Sequence, residues 1–139
     1  MKKIILLTTI IALFVILFSS CMKYEKGPVI SFRTKAARMS NEWVLNELFI
    51  ANGDGGLVPI DGSYTEYKKD GTGAFYDSNG NATELEWEFG DYKTQYHIRL
   101  KDGSGNWGAW GNFVTIIKLK NDELWYRDTN GWQYHYITR

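Results

Sequence analysis

From Glu84 to Phe89 the chain alternates strictly between glutamate and an apolar residue. Side chains of an extended strand point to alternate faces, so Glu84, Glu86 and Glu88 share one face and Leu85, Trp87 and Phe89 the other. A helix would scatter the two sets around its circumference, so the segment must be a half-buried strand. Gln95 to Lys101 repeats the pattern, with Tyr96, Ile98 and Leu100 inward and Gln95, His97, Arg99 and Lys101 outward. Joined by Gly90-Asp91-Tyr92-Lys93, the two form a hairpin with one apolar and one charged face. The expected pairing sets Trp87 against Tyr96, Leu85 against Ile98 and Glu84 against Arg99, each pair stabilising by roughly 0.2–1 kcal/mol. A one-residue slip would turn the whole apolar set to water, so the faces are strongly specified.

Other segments carry the same signature. Trp43–Phe49 is followed by a Gly-rich loop, residues 52–63. Tyr64–Lys69 and Thr72–Asp77 flank Asp70-Gly71, a dipeptide that favours a tight hairpin turn. Asn112–Lys120 and Glu123–Asp128 flank Asn121-Asp122, and Trp132–Thr138 follows Asn130-Gly131. Trp125 and Tyr126 leave both faces of their strand apolar, and its inward side stays open. No helical stretch is long enough for a parallel crossover; Thr34–Met39 makes a single turn, and Val29–Phe32 is a further strand or a plug. Aromatic content of 16% and 14 glycines against 2 prolines agree with an all-β chain. Eight antiparallel strands in a meander can close into a small up-and-down barrel and so lose their edges. A two-sheet sandwich is the alternative.

The N-terminus tells where the protein works. Met1-Lys2-Lys3 precedes an apolar run, Ile4–Phe18, interrupted only by Thr8 and Thr9. A short basic segment, about 15 apolar residues and the small pair Ser19-Ser20 have the layout of a secretory signal. An uncleaved membrane anchor is the alternative, although a spanning helix needs about 20 apolar residues. The single cysteine, Cys21, follows directly and cannot form an internal disulfide. Phe18-Ser19-Ser20-Cys21 resembles the lipoprotein signal of bacteria, which implies cleavage before Cys21 and palmitate-type acylation there. Durable anchoring takes more than one acyl chain, and the resemblance implies three. Met22 in the following position implies the outer membrane of the cell envelope. The expected organisation is thus a signal at 1–20, a tether at 21–33 and one domain at 34–139, with a lipid-mediated membrane contact. Without Lys2 and Lys3 the mature chain has 14 basic against 16 acidic residues. Such a balance leaves no electrostatic footprint for nucleic acid.

The chain resembles the lipocalin-like lipoproteins of Gram-negative bacteria at four places. TKAARMS leads into Trp43, where the lipocalin pattern has Gly-x-Trp and this chain has Asn41. YTEYKKDGTG is similar to the second hairpin of that family, TELEWEF to its fourth strand, and VTIIKLKNDELWYRD to its penultimate hairpin. The resemblance implies a calycin-type barrel, with fold and function to be argued separately.

Within such a barrel, Trp43, Phe75, Trp87, Phe89 and Tyr96 are expected to point inward. Ile98, Leu100, Phe113, Ile117 and Leu119 continue the lining. They would enclose an apolar pocket for a small hydrophobic ligand, unless the side chains themselves fill the interior. Leu57, Val58 and Ile60 would give the loop at 52–63 an apolar underside, as a lid across the mouth or as packing on the rim. Trp107 and Trp110, three apart in a Gly-rich link, either stack on a sugar ring, a lipid surface or a partner protein from an exposed loop, or cork a barrel end. Catalysis has little basis. His97 and His135 fall on non-adjacent strands, no metal set or cofactor motif is present, and Glu84, Glu86 and Glu88 read as a solvated face. The leading expectation is therefore a lipid-anchored binding or carrier module without enzyme activity. A filled barrel that displays an interaction surface is its rival, and a hydrolase using the outer carboxylates is a distant third.

Overall fold

Hairpin follows hairpin around the whole domain. A computed structural model describes residues 32–51 and 53–139, so the signal-like stretch, Cys21, the tether to residue 31 and, up to that residue, the strand or plug expected over Val29–Phe32 lie outside the described residues. One short helix, α1 (Lys35–Met39), precedes nine strands: β1 (Glu42–Phe49), β2 (Gly55–Leu57), β3 (Tyr64–Tyr67), β4 (Thr72–Tyr76), β5 (Ala82–Phe89), β6 (Gln95–Leu100), β7 (Val114–Leu119), β8 (Glu123–Arg127) and β9 (Gln133–Thr138). From β3 to β9 each strand pairs antiparallel with the next, β1 pairs with β3, and β9 returns to β1. Eight strands therefore close a ring, and the sandwich alternative falls. The ninth strand, β2, lies inside the stretch expected to be loop and pairs only with the upper part of β1, Leu57 opposite Glu47 and Gly55 opposite Phe49. No helix among the described residues is long and apolar enough to cross a membrane.

Helix α1 closes one end. Thr34 caps it by accepting a hydrogen bond from the Ala37 backbone at 3.1 Å, the expected role for a threonine at this position. Arg38 donates to the Leu119 carbonyl at 3.0 Å, and the Trp43 indole donates to the Met39 carbonyl at 2.9 Å. Met39 and Trp43 have no exposed surface. The opposite end carries three hairpin turns of one design, starting at Asp77, Asp102 and Asp128. In each, one carboxylate oxygen accepts from the backbone N–H two and four residues on, at 2.8–2.9 Å. Each also places a glycine (Gly80, Gly105 or Gly131) at φ between 83° and 85°, a conformation glycine adopts without strain. The shared pattern Asp-x-[Ser/Asn]-Gly is a sequence signal for this end of the barrel.

Three expectations need correction. In the β5–β6 hairpin Phe89 faces Tyr96, Trp87 faces Ile98, Leu85 faces Leu100 and Glu86 faces Arg99. The register is two residues from that expected, because the centre of the turn lies one residue further along the chain: Gly90 N–H closes it on the Gln95 carbonyl and Thr94 caps the turn on Asp91. A two-residue shift preserves the faces, so inward and outward sets stand. In β7 the inward period breaks at a bulge. Ile116 faces Tyr126 and Lys118 faces Trp125, leaving Ile117 unpaired. Ile117 is buried but outside the central cluster, and Val114 and Ile116 point inward instead, together with Leu119. Phe113 lies before β7 and turns outward. In β8, whose inward side was open, Tyr126 packs on the core while Trp125 lies outside, stacked on His135.

Candidate functional site

The inner wall changes character along the barrel axis. Toward the α1 end, Trp43, Tyr67, Leu85, Trp87, Tyr96, Ile116, Leu119 and Leu124 form one buried cluster with Met39. Its rings meet edge to face, Tyr67 against Trp87 at 5.8 Å and against Tyr96 at 6.0 Å, the arrangement favoured by the ring quadrupole. Tyr126 adds a stacked contact with Tyr134 at 4.9 Å. Its hydroxyl lies 3.3 Å from that of Tyr136. Burial raises the phenols of Tyr67, Tyr96, Tyr126 and Tyr136 above their ordinary value, because a buried phenolate would lose its hydration.

Toward the turn end the same face opens. Leu100 pairs with Leu85 and so points inward, yet it is 45% exposed, against 1% for Leu85. Phe75 pairs with Thr83 on the same inner face and is 41% exposed. Leu48, Thr83, Ile98 and Tyr134 are half-buried. The interior is thus a filled floor below a shallow apolar cup. Of the residues expected to line a pocket, Trp43, Trp87 and Tyr96 belong to the floor, Phe89 and Ile98 pack against it, and Phe75 sits at the rim. The lid is not formed as expected. Leu57 shares the outer face with its partner Glu47 and is exposed, Ile60 is exposed, and Val58 is half-buried with its N–H on the Asn46 carbonyl.

Trp107 and Trp110 neither cork the barrel nor stand free; they build a second feature on the outer wall. His97, Arg99 and Lys101 project outward from β6. On one side each meets a glutamate of β5: His97 to Glu88 at 2.8 Å, Arg99 Nε to Glu86 at 2.6 Å and Lys101 to Glu84 at 2.8 Å. On the other side the aromatic residues interleave with them. His97 stacks between Trp110 at 4.4 Å and Phe113 at 3.9 Å. The Arg99 guanidinium lies 5.2 Å from the Trp107 ring and 4.8 Å from that of Trp110, and Lys101 lies 5.5 Å from Trp107.

The backbone explains the spacing. Lys101 pairs with Trp107 and Tyr96 with Val114, so five steps along β6 face seven along the partner, which holds two extra residues. Gly108 and Gly111 donate to the carbonyls of Leu100 and Ile98 at 2.9 and 2.8 Å. A Cβ on either would lie 3.2–3.3 Å from those oxygens, so glycine permits the close approach. Polar side chains at every second residue, His97, Arg99 and Lys101, thereby match aromatics at every third.

The sequence reading missed Tyr67, Tyr126 and Tyr136 in the floor, and this interleaving. The signal for the latter was present: His97-x-Arg99-x-Lys101 followed by Trp107-x-x-Trp110-x-x-Phe113.

Solved structures share this architecture. One is a lipocalin-like protein from Bacteroides uniformis, with a TM-score of 0.56 and 14% identity over 73% of this chain and 99% of that one. Another is an uncharacterized protein from Bacteroides eggerthii, with a TM-score of 0.54 and 12% identity over the same shares. No family model and no curated protein matches the chain. The likeness establishes a lipocalin-like fold.

Proposed function

We propose that this lipocalin-like domain is a binding or carrier module that takes a small hydrophobic ligand at the turn end of the barrel. The observation that carries the reading is the exposure of two inward-facing apolar residues, Phe75 and Leu100, above a buried aromatic floor. Exposed apolar surface on a concave wall is stabilised by covering it, at about 25 cal/mol per Å². The filled floor limits the ligand to a compact molecule or to one end of a longer one.

The reading includes an anchor. Cys21 behind a signal-like stretch supports lipid attachment in the cell envelope, at the outer membrane. Arg33, at the start of the described chain, donates to Asn121 beside the α1 end at 3.2 Å. A tether entering there leaves the cup facing away from the membrane. The glutamates of β5 are each held by a β6 side chain, which supports binding over catalysis.

The test is extraction from native membranes with mass spectrometry, and melting of the purified protein with palmitate, retinol and indole. A retained or stabilising apolar molecule is expected, lost on Leu100→Arg while the melting temperature of the empty protein holds. An empty barrel together with no shift from the panel overturns the reading. Mass spectrometry of the N-terminal peptide tests the anchor: an unmodified Cys21 thiol on envelope material overturns it.

A further inference from the structure

A second concave surface lies at the α1 end of the barrel wall, where β4 ends before β5 does. The last β4–β5 pair toward the α1 end is Thr72 with Glu86, so Glu88 and Phe89 run past it. The β3–β4 turn folds over this gap: the Trp87 indole donates to the Lys68 carbonyl at 2.9 Å, and Trp87 N–H to the Gly71 carbonyl at 2.8 Å. The result is an open groove of about 550 Å³ whose lining includes Lys69, Asp70, Glu86, Glu88, Arg99 and Trp110. Its size falls within the range of about 300–1,000 Å³ usual for small-molecule sites.

The chemistry of the wall selects the ligand. Each carboxylate has one partner fixed: Asp70 accepts from Thr72 N–H and hydroxyl at 3.0 and 2.7 Å, Glu86 binds Arg99, and Glu88 binds His97. Each carboxylate accepts up to four hydrogen bonds, so acceptor capacity remains on groups already held in place. Two donors are uncommitted. Neither the Lys69 ammonium nor the Trp110 indole N–H has a protein partner among the described residues. Three carboxylates against Lys69 and Arg99 disfavour an anion, while the charged wall disfavours a purely apolar guest. Oriented acceptors and free donors beside aromatic edges match a neutral ring that carries many hydroxyls on its rim and C–H bonds on its faces.

From this we infer that the outer groove is a saccharide site, which binds a neutral pyranose unit through Glu86, Glu88, Lys69 and the Trp110 edge. The site is separate from the cup. The small ligand and the sugar are bound on different walls, so either proposal can fail without the other.

The experiment is an NMR titration of the full domain that follows the indole N–H signals, with Trp110 assigned from the Trp110→Phe variant. Probes are maltotetraose, cellotetraose and mannotetraose, with triglycine for comparison. A saturable shift of the Trp110 signal by at least one saccharide is expected. Lys69→Ala and Glu88→Gln should each raise the Kd at least about fivefold, as the loss of one hydrogen bond does, with the melting temperature unchanged. Leu100→Arg, which blocks the cup, should leave the titration as it was. No saturable shift up to about 20 mM saccharide, a shift that both groove variants leave intact, or a response to triglycine alone overturns the inference.

Discussion

Arg99 lies across the indole of Trp110, its guanidinium carbon 4.8 Å from the ring centroid, while its Nε donates to Glu86 at 2.6 Å. One side chain therefore fastens three segments: β5 through the carboxylate, β6 through its own backbone, and the Gly-rich link before β7 through the rings. That third segment needs the help. Between the Lys101–Trp107 and Tyr96–Val114 pairs its ladder is stretched by two extra residues.

Replacing Arg99 by Ala should therefore cost about 2 kcal/mol, the sum expected of a partly exposed ion pair and a cation–π contact. Urea unfolding measures it. Lys at the same position should recover less than half, because it lacks the flat face that lies over an indole. A loss below about 0.5 kcal/mol for Arg99→Ala, the range of an ordinary surface substitution, would mean the wall holds without the stack.

The cup and the floor should respond differently to truncation. Leu85 is 1% exposed and Leu100 is 45% exposed, although the two are paired on one face. Leu85→Ala should cost about 2–5 kcal/mol, the price of a cavity in a packed core. Leu100→Ala should cost less than about 1 kcal/mol, since water already reaches the side chain. Equal losses in chemical denaturation would place Leu100 in the core and remove the cup.

Gly73 of β4 has no room for a side chain between β3 and β5. A Cβ there would sit 2.1 Å from the Glu66 carbonyl oxygen and 3.0 Å from Leu85. Backbone must yield, so Gly73→Ala should destabilise by about 3 kcal/mol. Gly56→Ala, with nothing within 4 Å, is the matched control and should change stability by less than about 0.5 kcal/mol.

Alkali should unfold the barrel. The buried phenols of Tyr67, Tyr96, Tyr126 and Tyr136 are raised in the folded state. The folded chain holds those protons more tightly than the unfolded chain, whose tyrosines ionise near pH 10. Their contribution is complete below about pH 10 and is lost as pH rises toward the folded values. The melting temperature should fall from there upward, with phenolate absorbance appearing at the unfolding transition. Ionisation of all nine tyrosines without unfolding would show that the floor is wet.

What could be read in advance followed from two-residue periodicity. ELEWEF and QYHIRL display one face each without ambiguity, and the hairpins and ring follow from them. Where the period breaks, the reading broke with it. Phe113 and Ile117 fit an inward alternation on paper, but the bulge beside Ile117 and the glycines at 108 and 111 shift the phase. Exposure along the axis is likewise absent from periodicity: Phe75 and Trp87 carry the same inward mark, one at the rim and one in the floor. Trp107 and Trp110 could be found only by matching a period of three against the period of two on a neighbouring strand. The lipocalin resemblance agreed with the ring but could not supply that match.

Two of the three aspartate turns give the rim an unusual independence. The hydrogen bonds of the Asp77 and Asp102 carboxylates start and finish within the same five residues, whereas Asp128 also accepts from the Tyr134 hydroxyl at 3.4 Å. One such tip can be exchanged or lengthened without passing a disturbance down to the aromatic foundation. The mouth is in effect a set of separable parts on a fixed base, free to be rewritten for a new guest while the rest of the barrel stays as it is.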